Sequence, residues 1–560
     1  MSLLRLSCRR GAVPPCQQAL ASVSRCTRQR RHYSNESRDQ QQKKASGQSL
    51  PIAVAASLVV GYAAYGLLHT EGITAKSINT TVLKEDTLPP QEYADVSQME
   101  KALAEIRSSI PDHDTIISTD PDDLHAHGYS EWSSVNCERL PVAVAYPRDT
   151  QDVSTIARIC SKWRVPMIPY SGGSSIEGHI GAPFGGISID FAFMDKIMEY
   201  RPEDMDITVQ PGLCWTDLNH EIAKTSSLFF PIDPAPSAKI GGMVATNCSG
   251  TNAVRYGTMR DWVVNLTIVL ADGSVIKTRR RPRKSSAGYF LNGLFVGSEG
   301  TLGIVTEATL KLAVIPEQQS VAVVTFPTLR EAVEAATAVV RKGVPVAAVE
   351  LMDDVQMRIV NEGGETGRKW AEKPTLFFKF SGSQAGVDDN IKTVQGVIQP
   401  FKPSVFEWAK DRREQEILWS ARKQSLWSLL ALRGEGEVLW NTDVAVPLSR
   451  LADIIEKSSA DITRLGLKAT IKGHVGDGNF HENITYNPSN EEEAKKVKEA
   501  VKNMVKNALE MEGTCTGEHG IGLGKKAALA QEVGAETILV MKLLKATLDP
   551  AWILNPGKVL

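Results

Sequence analysis

From Leu140 onward, short apolar runs alternate with amphipathic stretches and glycine-rich breaks. Val142 to Pro147 reads as a strand, Asp152 to Trp163 repeats its apolar residues at helical spacing, and Val165 to Tyr170 is a second strand closed by Ser171-Gly172-Gly173. The texture continues through strand candidates at Ile187–Ile189, Ile207–Val209, Val264–Leu270 and Gly303–Val305, with Asp272-Gly273 as a hairpin turn. From Pro316 a second region begins. It holds strands at Val321–Phe326 and Thr375–Phe380 and helices at Leu329–Arg341 and Gln415–Leu432. No internal repeat and no low-complexity tract is found.

The front of the chain differs. Residues 1–33 contain seven arginines, several serines and no Asp or Glu, the signature of a mitochondrial transit peptide. Ala45 to Thr70 then lacks any formally charged residue, and about 50–69 is apolar enough to be expected as one membrane anchor. Arg38, Lys43 and Lys44 precede it and only Lys76 closely follows. That asymmetry places the catalytic body in the intermembrane space, on the mitochondrial inner membrane. Residues 71–136 are polar and read as a linker followed by a helical lead-in.

Composition narrows the classes further. With 63 Lys+Arg against 65 Asp+Glu the chain lacks the basic excess of a nucleic-acid binder, so no nucleic-acid partner is expected. The eight cysteines form no CxxC pair, which removes zinc ribbons and thioredoxin-type motifs. Standard signatures also fail. Gly520-Ile521-Gly522-Leu523-Gly524 lacks Rossmann spacing, His519 and Lys526 occupy positions where a Walker A loop needs Gly and Ser/Thr, and His481-Glu482 is followed by Thr485 where a zincin needs histidine.

Three glycine-rich loops are present instead. Pro169 to Ser175 offers successive backbone amides and hydroxyls, Ile240 to Asn247 presents a helix start, and Gly297 to Gly303 gives a third close approach. Such amide runs suit a pyrophosphate.

The order PYSGGSS, DPAPSAKIGGMVATNCSGT, RYGTMRD and FVGSEGTLGIVTEA resembles the FAD domain of the vanillyl-alcohol-oxidase flavoproteins. GHVGDGNFH, GEHGIG and the terminal NPGK resemble its D-2-hydroxyacid dehydrogenase branch, the likeness covering about residues 137–560. The resemblance implies an α+β fold: a two-lobed PCMH-type FAD-binding domain at 137–315, a cap domain at 316–510 with an antiparallel sheet flanked by helices, and a segment at 511–560 returning to the flavin. It implies FAD held by Ser171, Gly172, Gly173, Ser174, Ser175, Gly241, Gly242, Asn247, Gly303, Ile304 and Asn555. Members with covalent flavin often carry histidine where Ser174 stands, so a non-covalent flavin is expected, although His179 follows five residues later.

The stretch Gly473 to Asn483 carries the sharpest chemistry. Extended segments on either side of Asp477-Gly478 would bring His474 and His481 together and put Asn483 on the face of His481. Two imidazoles suit a divalent metal of the Zn or Mn type, and Glu518 can add a carboxylate. By resemblance, His474, His481 and Glu518 hold the metal. His519 is the expected base, with a fourth metal ligand as its competing role. Arg422 matches the family's substrate arginine, and Asn483 assists it.

The reaction implied is D-lactate to pyruvate by hydride transfer to FAD, with electrons passed to cytochrome c. D-2-hydroxyglutarate or glycolate dehydrogenation, a non-redox transferase like the ether-lipid synthase, and a tethered scaffold are the rival readings.

Overall fold

The computed structural model describes residues 91–110 and 115–560. The transit segment 1–33 and the apolar stretch 50–69 lie outside the described residues. Among those described, no helix is long and apolar enough to cross a membrane.

The flavin lobe contains two sheets. In the first, Ala143–Ala145 and Met167–Tyr170 both run parallel to Ile187–Asp190, which lies between them. The connecting helix Thr150–Trp163 is capped by Asp149, whose side chain accepts from the Asp152 amide. Its apolar stripe, including Val153, Ile156 and Ile159, packs on that sheet. Helix Val96–Ser109 buries Met99, Leu103 and Ile106 in the same core. The helical lead-in is thus a working part of the lobe, upstream of the boundary expected at 137. The second sheet is antiparallel and five-stranded, with Ile304–Lys311 at its centre between Asp206–Val209 and Val263–Val269.

The cap is built on one antiparallel sheet whose spatial order runs Val405–Trp408, Gln318–Thr325, Thr375–Gly382, Val346–Met352, Lys468–Gly473, Asn479–Tyr486, Val438–Asn441. One face packs on helices Leu329–Arg341, Gln384–Ile398, Leu451–Leu465 and Glu491–Glu510. The other is covered by Asp354–Gly363 and Arg412–Ala431 through Met352, Met357, Phe377, Leu418 and Ala421. The last helix starts three residues before the apolar pattern suggests. Asp411 caps it by accepting from the Glu414 amide, and its first turn is charged rather than apolar.

The predicted hairpin forms. Lys468–Gly473 and Asn479–Tyr486 pair antiparallel, and the chain turns through Gly478 at φ +87°. A Cβ there would lie 2.3 Å from the Val446 carbonyl oxygen, so only glycine fits.

The hairpin's alternation sends Glu482 to the side opposite His481, where it is buried with one carboxylate oxygen unpartnered. Burial, only partly offset by a hydrogen bond with Ser458, pushes its pKa up to about 8, with Asp353 adding to the effect. The folded state therefore holds this proton more tightly than the unfolded chain, and Glu482's contribution to stability falls as pH rises from the ordinary carboxylate range to about 8. Glu482→Gln is expected to raise the melting temperature at pH 8 and to change it little at pH 5. Thermal unfolding at the two pH values checks this, and an equal shift at both would contradict it.

Candidate active site

The three glycine loops meet in the flavin lobe. Ser171 donates its hydroxyl to the Pro211 carbonyl at 2.7 Å, and Gly241 approaches the same proline so closely that a Cβ would sit 2.7 Å from its ring. A Cβ on Gly172 would be 3.0 Å from the Ser237 carbonyl oxygen, and Gly173 has φ +61°. The third loop joins through the amides of Gly297 and Glu299, which donate to the carbonyls of Val244 and Ala245. Asn555 closes the set: its amide nitrogen donates to the Glu299 carbonyl at 2.6 Å, and its backbone N–H to Met167.

Two observations test whether these loops fit a dinucleotide. A Cβ added at Gly242 would meet nothing within 4 Å, so the first turn of helix Ile240–Thr246 faces open space. A cavity of about 420 Å³ opens beside Gly173, walled by Tyr129, Trp132, Tyr170 and Ile180. The loops fit FAD. Ser174 is exposed and Ser175 half-buried on the same loop. Asn247 ends its helix at φ +51° and accepts from Thr258 and the Arg260 amide through Oδ1. Gly303 leads into the strand where Ile304 pairs with Val269 and is fully buried, so a cofactor contact at that point belongs to backbone.

In the cap, the hairpin brings the two histidines together with ring centroids 5.6 Å apart and planes at 89°. Nε2 of His474 and Nε2 of His481 lie 3.4 and 3.3 Å from the same Oε1 of Glu518. The other carboxylate oxygen of Glu518 accepts from Ser249 of the flavin lobe at 2.6 Å. Nδ1 of His481 faces the Thr442 carbonyl at 2.9 Å, and a carbonyl only accepts, so that nitrogen carries the proton. Nε2 is then a lone pair aimed at a carboxylate oxygen. Burial lowers the His481 pKa, which disfavours curing that clash by protonation. A cation between the donors resolves it, and these residues fit a divalent metal. His474 is held from behind by Glu350 at 2.8 Å, the outer contact usual for a metal-binding imidazole.

Glu350 also binds Arg422, accepting from its Nε at 2.8 Å. Burial opposes the charge on Glu350, but His474 and Arg422 outweigh it and hold the carboxyl below the ordinary range. Arg422 thereby reaches the histidine pair from helix Arg412–Ala431 with its fork steered by one carboxylate. Asn483 is fully buried, donates to Thr470 at 3.4 Å and leaves Oδ1 without a partner. Lys472 lies near Arg422, Glu518 and Glu350; burial and Arg422 push its amine down to about 7 against the pull of the two carboxylates.

His519 stacks on His481 with centroids 5.2 Å apart and planes within 15°. Its backbone N–H donates to Asp443 Oδ2, as do the Glu518 N–H and the Thr516 hydroxyl. Its Nδ1 is buried without a hydrogen-bond partner. Asp443, His481 and His519 also offer ligand atoms within 4.8 Å of one another, so base and fourth ligand are both compatible with its place.

Sequence reasoning missed Glu350, Asp443, Glu299 and Lys472. Glu299 accepts from the amides of Ile521 and Gly522 at 2.7 Å each and lies 2.7 Å from Nε2 of His179, tying the third glycine loop to the Glu518-His519 turn. The available signal was a carboxylate inside an apolar run, as in Ala347 to Met352 around Glu350. A charge that must be buried needs a partner.

Two family models and several relatives match the chain. Residues 141–279 match the FAD binding domain family and residues 315–559 the family of FAD linked oxidases, C-terminal domain. The chain is 43% identical over 510 residues to D-lactate dehydrogenase [cytochrome], mitochondrial, of Kluyveromyces lactis, covering 89% of this chain and 88% of that one. It is 41% identical over 521 residues to the protein of that name from Arabidopsis thaliana, covering 92% and 90%. Among solved structures, 4-ethylphenol oxidase from Gulosibacter chungangensis superimposes with a TM-score of 0.70 at 17% identity, over 84% of this chain and 98% of that one, a likeness of fold. With these sequence relatives and both matched domains, the chain belongs to the FAD-linked oxidases of the mitochondrial D-lactate dehydrogenase [cytochrome] family.

Proposed function

We propose that this chain oxidises D-lactate to pyruvate and passes the electrons to cytochrome c. The observation that carries the reading is the pair of imidazoles aimed at one Glu518 oxygen, on a sheet face that also receives Arg422. Relatives at 43% and 41% identity bear the names of that activity and its mitochondrial location. Bound FAD supplies the two-electron acceptor, and a Zn- or Mn-type cation, which His474, His481 and Glu518 would hold, supplies a Lewis acid toward the substrate hydroxyl.

The rest is done by the chain. The terminal nitrogens of Arg422 take the substrate carboxylate, since Glu350 occupies only Nε. Asn483 offers its unpartnered carbonyl oxygen to the same chamber. His519 accepts the hydroxyl proton at Nδ1, a buried nitrogen without a hydrogen bond that lies 3.9 Å from the Glu177 carboxylate, which offsets the charge so formed. Asp443 fixes the backbone of 516–519, so that His519 and Glu518 are presented together. The segment 50–69 would tether the body to the inner membrane, facing the intermembrane space.

Anaerobic mixing with D-lactate is expected to bleach the flavin absorbance rapidly, with L-lactate far slower. Chelation of the metal should abolish the fast phase, and oxidised cytochrome c should recolour the flavin. A preference for L-lactate, for D-2-hydroxyglutarate or for glycolate would overturn the substrate assignment, and turnover without any bleaching would overturn the reaction.

A further inference from the structure

The face that carries His481 also carries a lysine not used in the reaction described so far. Antiparallel register sets Lys472 directly opposite His481 on one side and opposite Met352 on the other. Paired residues in a sheet project to the same face, so the Lys472 side chain leaves the sheet beside the imidazole. Ile471 and Phe480 project the other way, into the cap's apolar core.

The charges around it are already allocated. Glu350 is shared by Arg422 and His474, and Glu518 by two imidazoles and Ser249. Lys472 forms no hydrogen bond and no ion pair among the described residues, although it is partly buried in their midst. An ammonium withdrawn from water without a partner is disfavoured unless something anionic arrives. Arg422 has its charge offset by Glu350 at 2.8 Å, so it offers direction to an incoming carboxylate with little net attraction. Lys472 is the amine with no carboxylate bonded to it, so an arriving anion would favour its charged form.

We propose that Lys472 is a substrate-positioning residue that grips the carboxylate of the 2-hydroxyacid together with Arg422. The inference rests on the D-lactate reading of the same site. The guanidinium fork sets the plane of the carboxylate, and the ammonium supplies the net charge that draws it in. A small monoanion is then held at one end by the two cations, with its hydroxyl toward the histidine pair.

The test uses the FAD-loaded full chain with Lys472→Met, which keeps the length and removes the charge. KM for D-lactate is expected to rise about 10–100-fold, as for loss of a hydrogen bond to a charged group, with kcat changed by less than about threefold. The Kd of oxalate, read from the shift in flavin absorbance, should rise by the same factor, and Lys472→Arg should recover most of both. Unchanged KM and oxalate binding in the Met variant would overturn the proposal. So would equal loss in the Met and Arg variants together with loss of FAD, which marks a structural role. If the wild-type protein is not bleached by D-lactate, the substrate reading fails by itself, and the oxalate titration still decides on Lys472.

Discussion

Replacing His519 with glutamine is expected to lower kcat by about 10²–10⁴, the usual contribution of a positioned base, while FAD and metal contents stay at wild-type levels. Glutamine keeps a polar side chain of similar reach but cannot take a proton at neutral pH. The backbone of residue 519 remains held by Asp443, so the turn bearing Glu518 should survive. Flavin reduction in a single anaerobic turnover reads the defect directly, separate from electron delivery to cytochrome c. Loss of metal from the variant would instead assign His519 as the fourth ligand, a role its 5.2 Å stacking on His481 also allows.

Glu518→Gln is expected to reduce turnover by about 10³, from the several kcal/mol that a Lewis acid contributes to stabilising developing charge. Glu518 is the one carboxylate toward which both Nε2 atoms converge, at 3.3 and 3.4 Å. Burial raises its pKa, but the positive charge favoured on His474 outweighs that and holds it well below the ordinary range. Its negative charge is therefore retained throughout the neutral range, and glutamine removes it outright. Wild-type protein stripped with a chelator should match the variant, and added Zn or Mn should restore the wild type alone. A chelated wild-type enzyme with full activity would remove the metal from the account.

How much was legible in the sequence follows from where each contact originates. The His474/His481 pair was visible because turn and ligands lie on one hairpin, where period-two alternation and Asp477-Gly478 determine which side chains meet. The glycine loops were visible because amide-rich turns have a compositional signature. Glu350 and Asp443 were not, since they come from strands far along the chain and reach the histidines only through sheet order. No spacing rule links 350 to 474. Arg422 stood out by family resemblance alone; periodicity places it on a helix without saying that Glu350 steers it. Lys472 belongs to no motif, because its significance lies in the register that sets it opposite His481 and near Arg422.

The Met167 amide donates to the Ile553 carbonyl, and the Asn555 amide donates back to Met167. The first lobe's glycine-loop strand is thus stitched to residues made only after the whole cap has been translated. A nascent chain can form neither bond until residues 553–555 have been made, so the edge strand Met167–Tyr170 takes its last backbone partner only at the end of synthesis.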